Sequence, residues 1–567
     1  MASINSTCDF MCANWSQDNP NCARTGTDAC KGCLLVLYCG SSCQKAHWKT
    51  HKSDCRLNPL LKEDWRPRWE VENRVPAFIG GHRFQTFNYQ RKFLWGNVPA
   101  FDLVNLASNE GLHYTKGLDL LFAASGDIRN VIETVVAIPD AFRNPIKIYM
   151  NDRDTDVVGR NAIMLLLALT EDDAAVATEN IIHLWYSAFI PQSLQDVLKG
   201  KVHELVQSIC TKIEGKPPDA ILAKTWTFGS RSLRLVLTKQ QWFNILSSLE
   251  PPLDLTVERA RDIRRSVTLA DQRLDFRERT YFGQYPGVRA SSQKFREDGV
   301  LLPFGTPRDS FTIPNPTLFR NTSSWPLKDG ADPLHGWQLS KILSVSSGRA
   351  TNDIYGKLAV LLKDRLTRFH GRLKTSDISF HLLNVNAEDL QGYVKPATFD
   401  RIEVSNISDT GYLGMPGTIG YIGHLLKQPD ENPNATLVAL FLNAVDEIFD
   451  DNEKLKVLES EMKQVWSYMQ PQPPRGLYDA NMLIGDIALE QVRDADKYFD
   501  RYMDLQNFAM LAELSGMEFK KKHTIIEPWP LRLKKKPYQK GAEEEFLTLL
   551  SSSMSGCERY MEWRYKR

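Results

Sequence analysis

Eight of the ten cysteines, Cys8, Cys12, Cys22, Cys30, Cys33, Cys39, Cys43 and Cys55, fall within the first 55 residues, and only Cys210 and Cys557 lie elsewhere. About 50 residues bury too little apolar surface to fold unaided, so such crowding asks for a cross-link. In a reducing compartment thiol pairs stay reduced, which leaves metal ligation, and zinc is the natural ion. Cys30-x2-Cys33, Cys39-x3-Cys43 and His51-x3-Cys55 each present two ligands from a tight turn or one helical turn. Structural zinc takes four ligands, so six imply two ions and two further ligands from among Cys8, Cys12 and Cys22. One of these three cysteines is then surplus.

The segment DACKGCLLVLYCGSSCQKAHWKTHKSDC resembles the MYND zinc finger. The resemblance implies interleaved sites, Cys12, Cys22, Cys39 and Cys43 for one ion and Cys30, Cys33, His51 and Cys55 for the other. The first pair departs from the usual C-x2-C: the choice lies between Cys8-x3-Cys12 and Cys12-x9-Cys22, and the stretch CANWSQDNPNC resembles fungal variants with a long first loop, which favours Cys12 with Cys22 and leaves Cys8 a free thiol. His47 matches a non-ligand position and is expected to pack or face solvent. Protein fills every coordination position of such a finger, so catalysis at zinc is not expected. The family binds proline-rich peptides, which assigns Gln44 and Trp48 as contact residues, with packing of the mini-domain as the plainer role for Trp48.

The remaining chain is long enough for several domains: 567 residues with 42% apolar and 25% charged content, as in ordinary globular protein. Seventy basic against 69 acidic residues give a net charge of +1, so no global pull toward nucleic acid or acidic membrane exists. The apolar run Ala162 to Leu169 is far short of the roughly 20 residues of a membrane span. MASINSTCDFMC lacks a secretory pattern. A cytoplasmic or nuclear protein is expected.

The expected class is α/β. After the finger (1–58), the Pro-bounded, aromatic and charged stretch within 59–90 reads as a linker. Within 91–175, LDLLFAA, IRNVIETVVAI, PIKIYMND and DVVGRNAIMLLLALT alternate strand and helix, the pattern of a mostly parallel sheet covered on both faces. Residues 176–390 read as a helical insertion with a Pro-rich loop at 300–335. In 391–567 the sheet is expected to resume through FDRIEVSNISD and NATLVALFLNAV, closing with a strand hairpin of HTIIEPWPLRL and CERYMEWRYKR. From residue 90 onward, LWGNVPAFDLVNLASNEG, LLFAASGDIRNVIETV and RNAIMLLLAL resemble the uncharacterised domain that follows MYND fingers in fungal proteins and begins the dynein axonemal assembly factor family. That resemblance implies a Rossmann-like, methyltransferase-related fold without an established reaction.

If the sheet held S-adenosylmethionine, the loop after its first strand and an acid after its second would line the cofactor, which singles out Gly126, Asp127 and Asp152. The same residues read equally as a turn, a helix N-cap and a cap for the helix near Asp156. No G-x-x-x-x-G-K-[ST], H-E-x-x-H or G-x-S-x-G motif is present, nor the asparagine-histidine signature of the SET methyltransferases that also carry MYND fingers. Lys520 to Lys522 and Lys534 to Lys536 with Lys540 could contact phosphates, although lysines beside a strand also guard its edge. The sequence therefore favours a zinc-binding scaffold whose finger recruits a proline-containing partner. A divergent methyltransferase is the alternative, and a transcriptional regulator the second.

Overall fold

The computed structural model describes residues 10–16, 19, 21–79, 92–469, 473–552 and 554–566. Cys8 lies outside the described residues, as does the end of the expected linker. Helix α1 (Ser41–Asp54) and the antiparallel pair Asp28–Ala29 with Leu37–Tyr38 form the amino-terminal finger.

Nine strands form one sheet: β1 (Leu118–Phe122), β2 (Ile146–Asn151), β3 (Ile221–Phe228), β4 (Arg231–Thr238), β5 (Ile378–Leu383), β6 (Arg401–Glu403), β7 (Thr436–Phe441), β8 (Met517–Phe519) and β9 (Arg559–Tyr565). Their spatial order is β8-β9-β7-β6-β1-β2-β5-β4-β3. The central pairs β7–β6, β6–β1, β1–β2, β2–β5 and β5–β4 are parallel, and β8–β9, β9–β7 and β4–β3 are antiparallel. Every residue of β7 is buried, and β1 is apolar and buried but for the half-exposed Asp119, as suits strands covered on both faces. Helix α2 (Arg129–Ala137) follows β1 and α3 (Thr155–Thr170) follows β2. Helix α3 is apolar around almost its full circumference and is buried accordingly. The chain runs outward from β1 through β2 to β5, then returns to β6 and β7 on the other side of β1. The direction of winding thus reverses between β1 and β6, which opens a crevice at their carboxyl ends.

Two expectations on layout are corrected. The stretch taken as a helical insertion holds helices, including α4 (Ala174–Tyr186), α5 (Pro286–Asp298) and α6 (Ile354–Thr375), but also the β3–β4 hairpin, and β5 within it is a strand of the main sheet. The hairpin turns through Gly229-Ser230, where Gly229 takes φ +67, as a tight two-residue turn requires. The closing strands are also not a hairpin. HTIIEPWPLRL is a loop, since Pro528 and Pro530 remove donors that a ladder needs, and β8 pairs with β9 instead. The N–H groups of Thr524, Ile525 and Ile526 donate to the Glu562 carboxylate on β9.

The finger is not an appendage on a free tether. Cys12, Leu35, Val36 and Tyr38 share one buried cluster with Ala290 of α5 and Phe304. Asn352 donates from Nδ2 to the Cys33 carbonyl at 2.9 Å and from its backbone to the Leu34 carbonyl at 3.0 Å. The following stretch is pinned too: Arg74 makes a bidentate ion pair with Asp275 at 2.6 and 2.7 Å, and the buried Trp69 donates to the Tyr478 carbonyl at 3.2 Å.

Candidate zinc centres and sheet cleft

The finger brings eight of its candidate ligands into two groups, Cys12, Cys22, Cys39, Cys43 and Cys30, Cys33, His51, Cys55, with the ligand atoms of each group all within 4.8 Å of one another. A tetrahedral ion with Zn–S near about 2.3 Å and Zn–N near about 2.0 Å spaces sulfurs about 3.8 Å apart and sulfur from nitrogen about 3.5 Å. The observed separations are 3.8 Å for Cys22–Cys39, 3.4 Å for Cys39–Cys43, 3.9 Å for Cys30–Cys55 and 3.5 Å from Cys33 Sγ to His51 Nε2. One donor set is all thiolate and the other joins three thiolates to an imidazole. Both sets and these edges fit zinc, so the finger holds two Cys/His zinc-binding sites.

Local sequence explains the arrangement. Residues 39, 43, 51 and 55 step along and around α1 and its two flanks, while Cys30 and Cys33 sit in the turn between the short strands. The Cys30 N–H donates to the Val36 carbonyl at 3.0 Å and the Leu34 N–H to the Cys30 carbonyl at 2.9 Å, which closes that turn. Burial holds the His51 imidazole down to about 4, aided by His47, so the ring is neutral and offers a lone pair at Nε2. Burial likewise raises the Cys33 thiol, so thiolate formation there depends on the ion.

His47 is not among either ligand group. It stacks on His51 at 5.9 Å between ring centroids and shares a 3.0 Å hydrogen bond with the Tyr38 hydroxyl. Gln44 is half-buried, and Trp48, 36% exposed, meets the edge of His51 at 6.0 Å while its outer face stays open. Lys45, Lys49 and Lys52 lie beside it, exposed, and the sequence reading passed over them. Lys45 three residues before Trp48 and Lys52 four after it, with Lys49 four from Lys45 and three from Lys52, were the available signal.

Gly126, Asp127 and Asp152 converge on a cleft of about 830 Å3 at the carboxyl ends of β1, β2, β6 and β7. Gly126 takes φ +54, and across the cleft Ser405, just beyond β6, takes φ +51. Asp127 is engaged at both oxygens: Oδ1 accepts from Arg129 Nη1 at 2.6 Å, and Oδ2 accepts from Gly96 N at 2.7 Å and Trp185 Nε1 at 3.3 Å. Asp152 accepts from Gly126 N at 3.1 Å and Asp154 N at 2.9 Å, and burial raises its carboxyl. Asp152 does not cap α3. Asp154 does, accepting from Asp156 N. A second cavity of about 920 Å3 shares Asn97, Lys328 and Leu442 with this cleft.

The basic segments are partly consumed within the fold. Lys520 is buried against Glu562 at 2.6 Å, Lys534 pairs with Glu527 at 2.6 Å, and Lys535 Nζ donates to the Gly541 carbonyl. Among the described residues no helix is long and apolar enough to cross a membrane.

These features define a zinc-finger protein with a large mixed α/β domain. Residues 19–55 match the MYND finger, a zinc-binding module of protein interaction, and residues 94–190 match a domain of unknown function, DUF4470. That second match spans β1, α2, β2, α3 and α4. Similar proteins include the histone-lysine N-methyltransferase ASHR1 of Arabidopsis thaliana, 46% identical over 37 residues, which is 6% of this chain and 8% of that protein. The N-lysine methyltransferase SMYD2-B of Danio rerio is 36% identical over 44 residues, 8% of this chain and 10% of that protein. The chain thus covers a tenth or less of the length of these curated relatives, within the finger. No solved structure matches the chain.

Proposed function

We propose that the chain is a zinc-dependent interaction protein whose finger presents Gln44 and Trp48 to a proline-containing segment of a partner, with the large domain as a rigid scaffold. Cys12, Cys22, Cys39 and Cys43 hold one ion and Cys30, Cys33, His51 and Cys55 the other. The observation that carries this is the disposition of α1: its inner side closes two tetrahedra with no coordination position left over, while Trp48 stays 36% exposed on a finger otherwise docked to the scaffold. Peptides in the polyproline II form dock on exposed aromatic rings because little ordering entropy is lost. The test is fluorescence anisotropy of the full zinc-loaded chain with a proline-leucine peptide. Trp48→Ala should abolish binding while zinc content is retained, and undiminished binding by that variant would refute the assignment.

A second reading has one observation in its favour. The 830 Å3 cleft lies where the winding reverses, the place at which open α/β sheets bind ligands, and it adjoins a cavity with room for an acceptor. The strand order also supports a Rossmann-like, methyltransferase-related sheet. In this reading the backbone at Gly126 and the carboxylate of Asp152 would face S-adenosylmethionine, while Asp127 serves the loop from behind. Isothermal calorimetry with S-adenosylmethionine at millimolar concentration decides it: no heat from the folded chain removes the reading.

A further inference from the structure

Helix α1 has a second face that the zinc sites do not use. At about 100° per residue, positions 45, 48, 49 and 52 fall within an arc of about 100°. Cys43, His47 and Asp54 project from the opposite side. Lys45, Lys49 and Lys52 are exposed, and among the described residues none of them makes an ion pair. The single acid of α1, Asp54, is committed on the opposite side, to Lys294 at 3.5 Å. With zinc bound the thiolate sets would carry formal negative charge, but Cys43 projects from the side of the helix opposite the lysines and the set of Cys30, Cys33, His51 and Cys55 is buried. What solvent meets at this face is three free ammonium groups around one half-open indole.

We propose that this face takes an acidic stretch of the partner protein, directly beside the proline-bearing segment that Trp48 engages. The inference rests on the zinc-dependent recruitment described above and adds to it the charge of the ligand. The geometry favours an extended acidic peptide. Alternate side chains of an extended strand lie about 6.6 Å apart on one side, and the axial rise from Lys45 to Lys49 is about 6 Å. Two same-side carboxylates therefore meet two ammonium groups without distorting either chain. The face is short, about 10 Å from Lys45 to Lys52. That length suits a few peptide carboxylates better than a nucleic-acid backbone, whose non-specific affinity comes from many phosphate contacts.

The test uses the full, zinc-loaded chain and anisotropy with labelled proline-leucine peptides carrying a glutamate flank, a glutamine flank or a lysine flank, and with a DNA duplex. Two variants accompany it, Lys45→Glu/Lys49→Glu/Lys52→Glu and the milder triple Lys→Gln, each checked for two equivalents of zinc. Exposed pairs are individually weak, so two or three together give roughly a tenfold preference, about 1.4 kcal/mol, for glutamate over glutamine flanks at low salt. The preference should vanish in both triple variants and fade as salt approaches 1 M, where screening acts within about 3 Å. Trp48→Ala should abolish binding of both peptides alike. Equal affinity for glutamate and glutamine flanks, with Trp48-dependent binding intact, overturns this inference alone. Loss of all peptide binding from the wild-type chain overturns it together with the recruitment reading. Tighter, lysine-dependent binding of the duplex overturns it in favour of nucleic acid.

Discussion

The Arg129–Asp127 pair offers a quantitative test of what the loop after β1 is for. Arg129 donates to Asp127 Oδ1 at 2.6 Å and to the Val98 carbonyl at 3.0 Å, with side-chain exposures of 8% and 2% for the two partners. Gly96 closes the site from the other side, since a Cβ there would stand 2.3 Å from the Arg129 guanidinium carbon. Removing one partner of a buried pair leaves the other charge uncompensated and costs about 3–5 kcal/mol. Arg129→Met should therefore destabilise β1 and α2 by about that amount, and Asp127→Asn by a similar one. The double variant should cost less than the sum, because neither charge is then left alone. Native-state hydrogen exchange reads local opening whether or not the whole chain unfolds in one step. Amides of β1 and α2 should exchange faster by roughly two to three and a half powers of ten in Arg129→Met. An acceleration below tenfold, or strictly additive variants, would refute a structural role for Asp127 and return its carboxylate to the cleft.

Two further outcomes are expected. Native mass spectrometry should find two zinc ions per chain, falling to one in Cys30→Ser, and chelation should speed exchange in the amides around Asn352 as well as in the finger, because Asn352 is bonded to the Cys33 and Leu34 carbonyls. Burial raises Glu403 to about 7, against the backbone N–H of Ser405 and the charge of Arg129, with the Tyr560 hydroxyl also facing it. A carboxyl raised on folding binds more protons in the native state, so stability is full below about pH 4.5 and declines as pH rises to about 7, by up to about 3 kcal/mol. In Glu403→Gln, urea titrations across that range should show this decline removed, and an unchanged slope would exclude Glu403 as its source.

Much of this molecule is legible residue by residue. The finger is so because metal chemistry fixes both residue type and spacing. The units from β1 to α3 are legible because short apolar-rich strands alternate there with helices of apolar periodicity, the mark of a sheet with crossover helices. The β3–β4 hairpin was missed because ILAKTWTF alternates only weakly and sits among helices, although the Gly229-Ser230 turn and the alternation of Leu233, Leu235 and Leu237 in RSLRLVLT were local signals for it. The closing strand was misplaced because HTIIEPWPLRL has strand-forming residues, whereas its prolines and the buried Glu562 hold it as a loop. No periodicity announces Asn352: a single residue whose side chain and backbone N–H reach two carbonyls some three hundred positions earlier is a product of tertiary contact. Gly126, Asp127 and Asp152, singled out from their places after β1 and β2, all line the sheet cleft, but the engagement of Asp127 by Gly96, Trp185 and Arg129 depends on segments far apart in the chain.

The clasp at Asn352 and the apolar contact with Ala290 and Phe304 bear on how this finger can be handled and inherited. Excised and grafted onto a foreign host, it would bring bare hydrophobic surface and two orphaned carbonyls, and would stick or fray unless the recipient supplied a matching seat. Lineages that kept the scaffold while losing the metal ligands would have to refill that seat.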